Sequence, residues 1–380
     1  MWEIILFISL LVGQLGRIQI TSDIAFYFHD IVIFCYLLFH IRALFHLEWK
    51  KVELAKPLAI VFGVCFLSLI GNLWRFQPAD IAVGLLYLLR FCMYVSIFTC
   101  ILLSKKSQTY WFRWLYFLGV GYAVIGFFQL LFYPNLRNIA YLGWDPHYYR
   151  LFSTLFDPNF VGCIIVLCFF LGFYLITKTK LKLFMIITQI VLLLAVFLTY
   201  SRSSFVALVI GLMVYITFTK QWKYAIVLVF IVLSTLIFPS LGGISTNIGR
   251  MWSVSARLSN WQEGSALFFN SPIIGYGFNT LRAVAKVGTT SPYGYIANAG
   301  GGIDNSILFI LVTTGVIGLA VFANLGICLI RSGLCITKQP LKAVYFSIFT
   351  ALIIHSMFVN SLFYPQILIW FWIFVFTSRS

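Results

Sequence analysis

The chain has 380 residues, of which 62% are hydrophobic, 19% aromatic and only 9% charged. So few charges cannot cover a water-soluble surface, and so much apolar content excludes disorder. The net charge of +16 would suggest nucleic acid in a soluble protein, but in this composition it reads as the basic cytoplasmic loops of a multi-pass membrane protein, with no nucleic-acid partner.

Long apolar runs, separated by charged or Pro/Gly-containing breaks, predict an all-α polytopic integral membrane protein of about twelve transmembrane helices. The runs fall at about 3–18, 23–41, 57–74, 80–103, 112–133, 157–177, 182–200, 203–219, 223–239, 303–330, 341–360 and 365–378. The first is interrupted by polar residues at Gly13–Gln19 and has no small-residue cleavage site, so it does not read as a signal peptide. The whole chain, 1–380, reads as a single membrane domain with two larger external loops, 134–159 and 240–302. The second contains a short helix, about 255–270, too polar to span and placed at the membrane interface, with Arg257 and Trp261 on one face. The eight cysteines show no CxxC spacing and suggest neither a metal site nor a disulfide framework.

With the N-terminus inside, sixteen of the 26 basic residues lie in inner loops, and twelve of those are Lys. The other ten are Arg17, Arg75, Arg90, Arg137, Arg150, Arg202, Arg250, Arg257, Arg282 and Lys286. Lysine serves topology as a hydrated point charge, whereas the guanidinium fork matches phosphate and carboxylate. An outer excess of arginine therefore points to an anionic ligand on that face; the competing reading for each one is snorkelling or pairing with an acid.

Five stretches carry polar groups that chemistry needs. Thr199–Ser204 (TYSRSS) puts Arg202 in a tight re-entry between two apolar runs. In Arg150–Gly162, Asp157-Pro158 reads as a helix start, with Arg150 and Asn159 beside it. In Ser271–Arg282, Gly275 and Gly277 permit exposed backbone N–H groups, a candidate anion nest, but not a dinucleotide fingerprint. Asp304-Asn305 opens a span, and Asp304 reads either as its N-cap or as a general base facing the arginines. His355, within a span, reads as a packed, hydrogen-bonded residue, and His29 and Asp30 as an interhelix polar contact. No zinc spacing, P-loop or GxSxG is present in the sequence.

FSTLFDPNFVG (152–162), LTYSRSSFVALVIG (198–211), RLSNWQEGSALFFNSPIIGYGFNT (257–280) and DNSILFILVTTGVIGLAVF (304–322) together resemble the O-antigen polymerase and O-antigen ligase superfamily of bacterial envelope glycosyltransferases. The resemblance makes 150–330 a family-like catalytic core. It implies an enzyme of the cytoplasmic membrane, both termini cytoplasmic and the active site on the external face. Such an enzyme moves glycan from undecaprenyl pyrophosphate without nucleotide sugar, metal or other cofactor. Its implied partners are undecaprenyl-pyrophosphate-linked oligosaccharide and membrane lipid, and it allows a chain-length regulator protein. Carried over residue by residue, it implies Arg202 and Arg257 as a clamp on the pyrophosphate and Asp304 as base or acceptor-positioning group; Arg150, Asn159, Trp261, Arg282 and Asn305 would bind substrate. Ligases carry a His where this chain has Asp304-Asn305, so the resemblance favours a polymerase of lipid-linked repeat units. The alternatives are a ligase, a peptidoglycan-type polymerase and a flippase; a flippase would bury charge at mid-bilayer in paired halves.

Overall fold

The structure, a computed structural model, describes residues 2–21, 24–237, 243, 246, 252–284 and 302–379. Arg250, Lys286 and most of the 240–302 loop lie outside the described residues.

The chain starts with α1 (Trp2–Val12), a 3₁₀ turn and a hairpin of β1 (Arg17–Gln19) and β2 (Ala25–Tyr27). This hairpin is a small exception to the all-helical expectation: polar residues around Gln19–Ser22 end the first apolar run before it reaches full span length. Then follow α2 (Phe28–Phe39), α3 (Ile41–Phe45), α4 (Ala55–Ile70), α5 (Pro78–Ser96), α6 (Thr99–Leu103) and α7 (Gln108–Phe132). Next come α8 (Pro158–Ile176), α9 (Lys182–Thr199), α10 (Arg202–Thr219), α11 (Lys223–Ile237), α12 (Trp252–Asn270) and α13 (Leu281–Val284). The chain closes with α14 (Ser306–Leu334), α15 (Gln339–Ser356) and α16 (Pro365–Arg379).

Among the described residues, six helical segments are long and apolar enough to cross a membrane: Pro78–Leu103, Gln108–Phe132, Pro158–Ile176, Lys182–Thr199, Arg202–Thr219 and Ser306–Leu334. Four further apolar helices are shorter, at Trp2–Gly16, Phe28–Phe39, Ala55–Ile70 and Lys223–Leu233. Length and composition therefore do not return the count of twelve. The last helix shows why an apolar run is an ambiguous signal: Gln366 to Ser378 of α16 are all buried, so this helix is wrapped by its neighbours. Its hydrophobicity answers to protein, as does that of α8, most of which is also buried.

Charges inside the bundle are paired. Arg90 on α5 forms a 2.9 Å ion pair with Asp30 on α2. Tyr94 donates a short hydrogen bond to the same carboxylate, which also caps α2 by accepting from the Tyr27 N–H at 2.9 Å. The Arg90 guanidinium thus has a partner inside the bundle.

The expected continuous span 303–330 is instead broken. Gly315 has φ 67° and ψ −167°, a region open essentially to glycine alone. The break frees two carbonyls and two N–H groups that must find partners where water is scarce. The segment after α12 supplies all four. Tyr276 N–H donates to Val312 O (2.9 Å) and Gly277 N–H to Thr313 O (2.9 Å), while Val316 N–H donates to Pro272 O (2.9 Å) and Ile317 N–H to Ile273 O (3.4 Å). From α4, the Ser68 hydroxyl lies 2.6 Å from Thr313 O, and from the turn that follows, Asn72 donates to Gly275 O at 3.0 Å. This corrects the anion-nest expectation for Gly275 and Gly277. The Gly277 amide is consumed by the splice, the Gly275 amide donates to Ser271 O, and the glycines are there because backbone passes backbone at contact distance.

Candidate active site

Three helix starts define the site. Asp157 is the N-cap of α8: its carboxylate accepts from Asn159 N–H at 2.7 Å, with Pro158 in the first helical position. Ser201 is the N-cap of α10, which makes Arg202 its first helical residue. Asn305 is the N-cap of α14, accepting from Ile307 and Leu308 N–H at 2.9 and 3.1 Å. The neighbouring Asp304 is therefore not the cap, and among the described residues no hydrogen bond engages its carboxylate.

The turn from α9 to α10 contains only two residues, and Tyr200 makes it in a left-handed conformation (φ 49°) while fully buried. Arg150, 5% exposed, braces this turn: Nε donates to Thr199 O at 2.9 Å and Nη2 lies 3.4 Å from Tyr200 O. A cation on the last carbonyls of a helix is favourable for the dipole. Beneath the turn runs a buried hydroxyl network. Ser201 Oγ donates to Asn159 Oδ1 at 2.8 Å. Ser203 and Ser204 Oγ lie 3.1 and 3.3 Å from His355 Nε2, and His355 Nδ1 lies 2.6 Å from Ser361 Oγ. The Ser203–His355 pair has nucleophile–base spacing. Its third member, however, is a hydroxyl rather than a carboxylate, and His355 is completely buried. We read the network as the support that fixes Arg202.

Arg202 and Arg257 line one cavity of about 320 Å³ with Trp261, while Val206, Val254, Leu258 and Phe358 form its apolar wall. The guanidiniums come from different helices and are close enough to repel one another. Among the described residues no hydrogen bond or ion pair engages Arg257. Two like charges facing an open, half-apolar cavity favour an anion between them. α12 also positions Asp304: Asn260 holds Gly302 O (2.9 Å) and Asp304 N–H (2.9 Å), and Trp261 Nε1 donates to Asp304 O at 3.3 Å.

Behind Arg257 three carboxylates, Asp145, Asp157 and Asp304, feel one another. Asp145 is exposed toward a second cavity, yet the protein crowded around its carboxyl pushes its pKa up to about 6, reinforced by Asp157 and Asp304 and opposed by Arg150. Burial also raises Asp157, against the Asn159 N–H, Arg150 and Arg257. Asp304 is raised by crowding and by Asp157, with Arg257 opposing, although its side chain remains accessible. A folded-state pKa above the unfolded value of about 3.9 means that the native state binds the Asp145 proton more tightly. Stability contributed by this group is therefore gained as pH falls through about 6, is complete below about 4, and is absent above 6. Melting temperatures of wild type and Asp145→Asn across pH 4–8 check this: the difference between the two proteins should change between 4 and 6 and be flat above 7.

The structure thus brings Arg202, Arg257 and Trp261 to one cavity, with Asp304 bound through its backbone to Trp261. Arg150 and Asn159 lie in the scaffold beneath, and Asn305 caps a helix. Arg282 lines the second cavity with Asp145 and Asp157. Sequence reasoning missed Asn260, Phe358 and Asp145; the run Trp144-Asp145-Pro146-His147, polar beside aromatic in an otherwise apolar chain, was the signal for Asp145. Other arginines of the set have ring contacts: Arg17 stacks on Trp144 (5.2 Å), Arg75 on Trp74 and Tyr276 (4.7 and 4.9 Å) and Arg137 on Tyr148 (4.0 Å).

Fold and site together define a multi-helix membrane protein with a paired-arginine cavity beside a carboxylate cluster. Residues 187–323 match the family model of O-Antigen ligase, which supports the O-antigen polymerase and ligase superfamily and a glycosyltransferase-like enzyme. The matched stretch holds Arg202, Arg257, Trp261, Arg282, Asp304 and Asn305, whereas Arg150 and Asn159 precede it. No curated protein matches the chain.

Proposed function

We propose that the protein is a polymerase that joins undecaprenyl-pyrophosphate-linked oligosaccharide repeat units into a surface polysaccharide at the outer face of the cytoplasmic membrane. The observation that carries this reading is the cavity in which Arg202 and Arg257 face each other across from an apolar wall. A polyprenyl pyrophosphate needs both features, guanidinium forks for its phosphates and apolar surface for its first isoprene units. In the reaction an acceptor hydroxyl oxygen attacks the anomeric carbon, and the bond from that carbon to the pyrophosphate oxygen breaks. The electron pair leaves on the pyrophosphate, whose growing charge the two arginines stabilise. The hydroxyl proton passes to a carboxylate, and Asp304 is our choice. It is accessible, held by Asn260 and Trp261, not used as a cap, and more basic than a free carboxylate because of its crowding.

The ligase reading is favoured by the description of the matching family model; the Asp304-Asn305 pair, where ligases carry His, favours the polymerase. A flippase fits less well, because Arg90, the candidate arginine that lies well inside a span-length helix among the described residues, is paired with Asp30. Asp304→Asn is expected to lower turnover about 10²-fold or more while leaving the affinity for lipid-linked substrate within about twofold. Single-turnover rates and substrate binding on the same purified protein decide it. A change in binding alone would remove Asp304 from the role of base.

A further inference from the structure

The second cavity, about 240 Å³, lies across Asp157 from the arginine cavity and is walled by the hairpin at the N-terminus, the 134–159 loop and α13. Its lining includes Gln14, Arg17, Trp144, Asp145, Asp157 and Tyr364. Its polar groups are only partly satisfied. Gln14 is 9% exposed; its amide nitrogen donates to the Tyr364 hydroxyl at 3.2 Å, while its Oε1 is buried without a partner. Arg17 Nε is also buried without a partner. Beside them stand the Asp145 carboxylate, for which no hydrogen-bond partner is present among the described residues, and a set of aromatic rings. Arg17 lies over the Trp144 ring at 5.2 Å, Trp144 meets Phe156 edge-on at 5.1 Å, and Tyr364 stacks on Phe160 at 3.6 Å.

The chemistry selects the ligand. Two carboxylates oppose a phosphate, two guanidiniums (Arg17 and Arg282) oppose a metal ion, and the polar lining opposes an isoprene chain. What remains is a molecule that donates to Gln14 Oε1 and the carboxylates, accepts from Arg17 Nε, and offers an apolar face to an aromatic ring. A sugar ring, with hydroxyls at its rim and C–H groups on its face, does all three.

We propose that this cavity is a saccharide subsite that holds a sugar residue of the acceptor glycan. The inference rests on the glycosyl-transfer reading and assigns it a second substrate position. A donor sugar must sit beside its own pyrophosphate, so the cavity on the far side of Asp157 is left for the acceptor. Asp157 lines this cavity and feels Arg257 of the other, so an acceptor seated here presents its hydroxyl toward the carboxylate cluster.

The test separates the two cavities with two soluble probes on the full-length protein in nanodiscs. One is the phosphate-free oligosaccharide released from the host's lipid-linked repeat unit; the other is farnesyl pyrophosphate. Saturation-transfer NMR should show the oligosaccharide bound by wild type and by Arg257→Ala, and weakened about tenfold or more by Trp144→Ala and by Asp145→Asn. Trp144→Phe should restore part of the binding. Farnesyl pyrophosphate should show the reverse, lost with Arg257→Ala and kept with Trp144→Ala, and should not displace the oligosaccharide. Asp145→Asn removes no described contact, so it reports on the cavity even if Trp144→Ala fails to fold. An oligosaccharide that wild type does not bind, that both cavity variants bind equally, or that farnesyl pyrophosphate displaces would overturn the subsite. Failure of the arginine clamp would show separately, as farnesyl pyrophosphate binding unchanged in Arg257→Ala.

Discussion

Arg257→Ala is expected to lower the rate of polymer formation by about 10²–10³-fold, the usual loss when one preplaced donor to developing negative charge is removed. Arg202→Ala should act similarly, and the double variant should lose less than the product of the two effects, because both guanidiniums serve one anion. Arg257→Lys should recover only part of the rate, since an ammonium supplies charge without the fork. The fold should be indifferent. Arg257 is engaged by no hydrogen bond or ion pair among the described residues, and its repulsion of Arg202 is offset by its attraction to Asp157 and Asp304, so its removal should leave the melting temperature little changed. Initial rates and thermal melts on the same preparations separate a catalytic loss from a folding one.

Gly315→Ala is expected to be the most damaging small substitution in the chain. A Cβ there would lie 2.1 Å from Ile273 O and 2.3 Å from its carbonyl carbon, and the backbone angle is one that alanine avoids. The conformation alone costs about 1–3 kcal/mol, and the overlap is with backbone that is itself hydrogen-bonded into the break, so it cannot swing aside. The loss should reach about 3 kcal/mol or more, enough to deplete folded protein in the membrane. Gly275→Ala should behave alike, its Cβ meeting Thr313 C at 2.4 Å. Gly326→Ala, on the same helix with nothing within 4 Å of the added carbon, should change stability by less than about 1 kcal/mol. Fluorescence-detected size-exclusion and thermal melts in detergent compare them; equal stability of Gly315→Ala and wild type would contradict the splice.

What the sequence shows and hides follows from how local each signal is. The N-cap at Asp157-Pro158, the two-residue turn that presents Arg202, and the helix carrying Arg257 and Trp261 were all legible, because each depends on neighbours within one helical turn. The helix break was not. Gly315 and Gly318 look like ordinary small residues of a packed helix, and only the distant segment 272–277 makes the break possible. Asp304 read equally as cap or base until Asn305 proved to be the cap. The arginine excess was read as one ligand-binding set, yet Arg90 and Arg150 are tied to an acid and to backbone carbonyls, and Arg75 and Arg137 stack on rings. Composition counts charges but does not say which of them face each other. For the same reason the apolar runs alone do not fix the number of spans: a run buried in protein, such as α16, has the composition of one facing lipid.

The central claim, a paired-arginine clamp that drives repeat-unit polymerisation, is tested most directly by reconstitution. Purified protein in liposomes receives one undecaprenyl-pyrophosphate oligosaccharide from its own host, and the products are separated on a gel. A ladder spaced by one repeat unit is expected with wild type and is expected to be absent with Arg257→Ala. A ladder undiminished in Arg257→Ala, or no ladder from wild-type protein that binds the lipid-linked substrate, would contradict it.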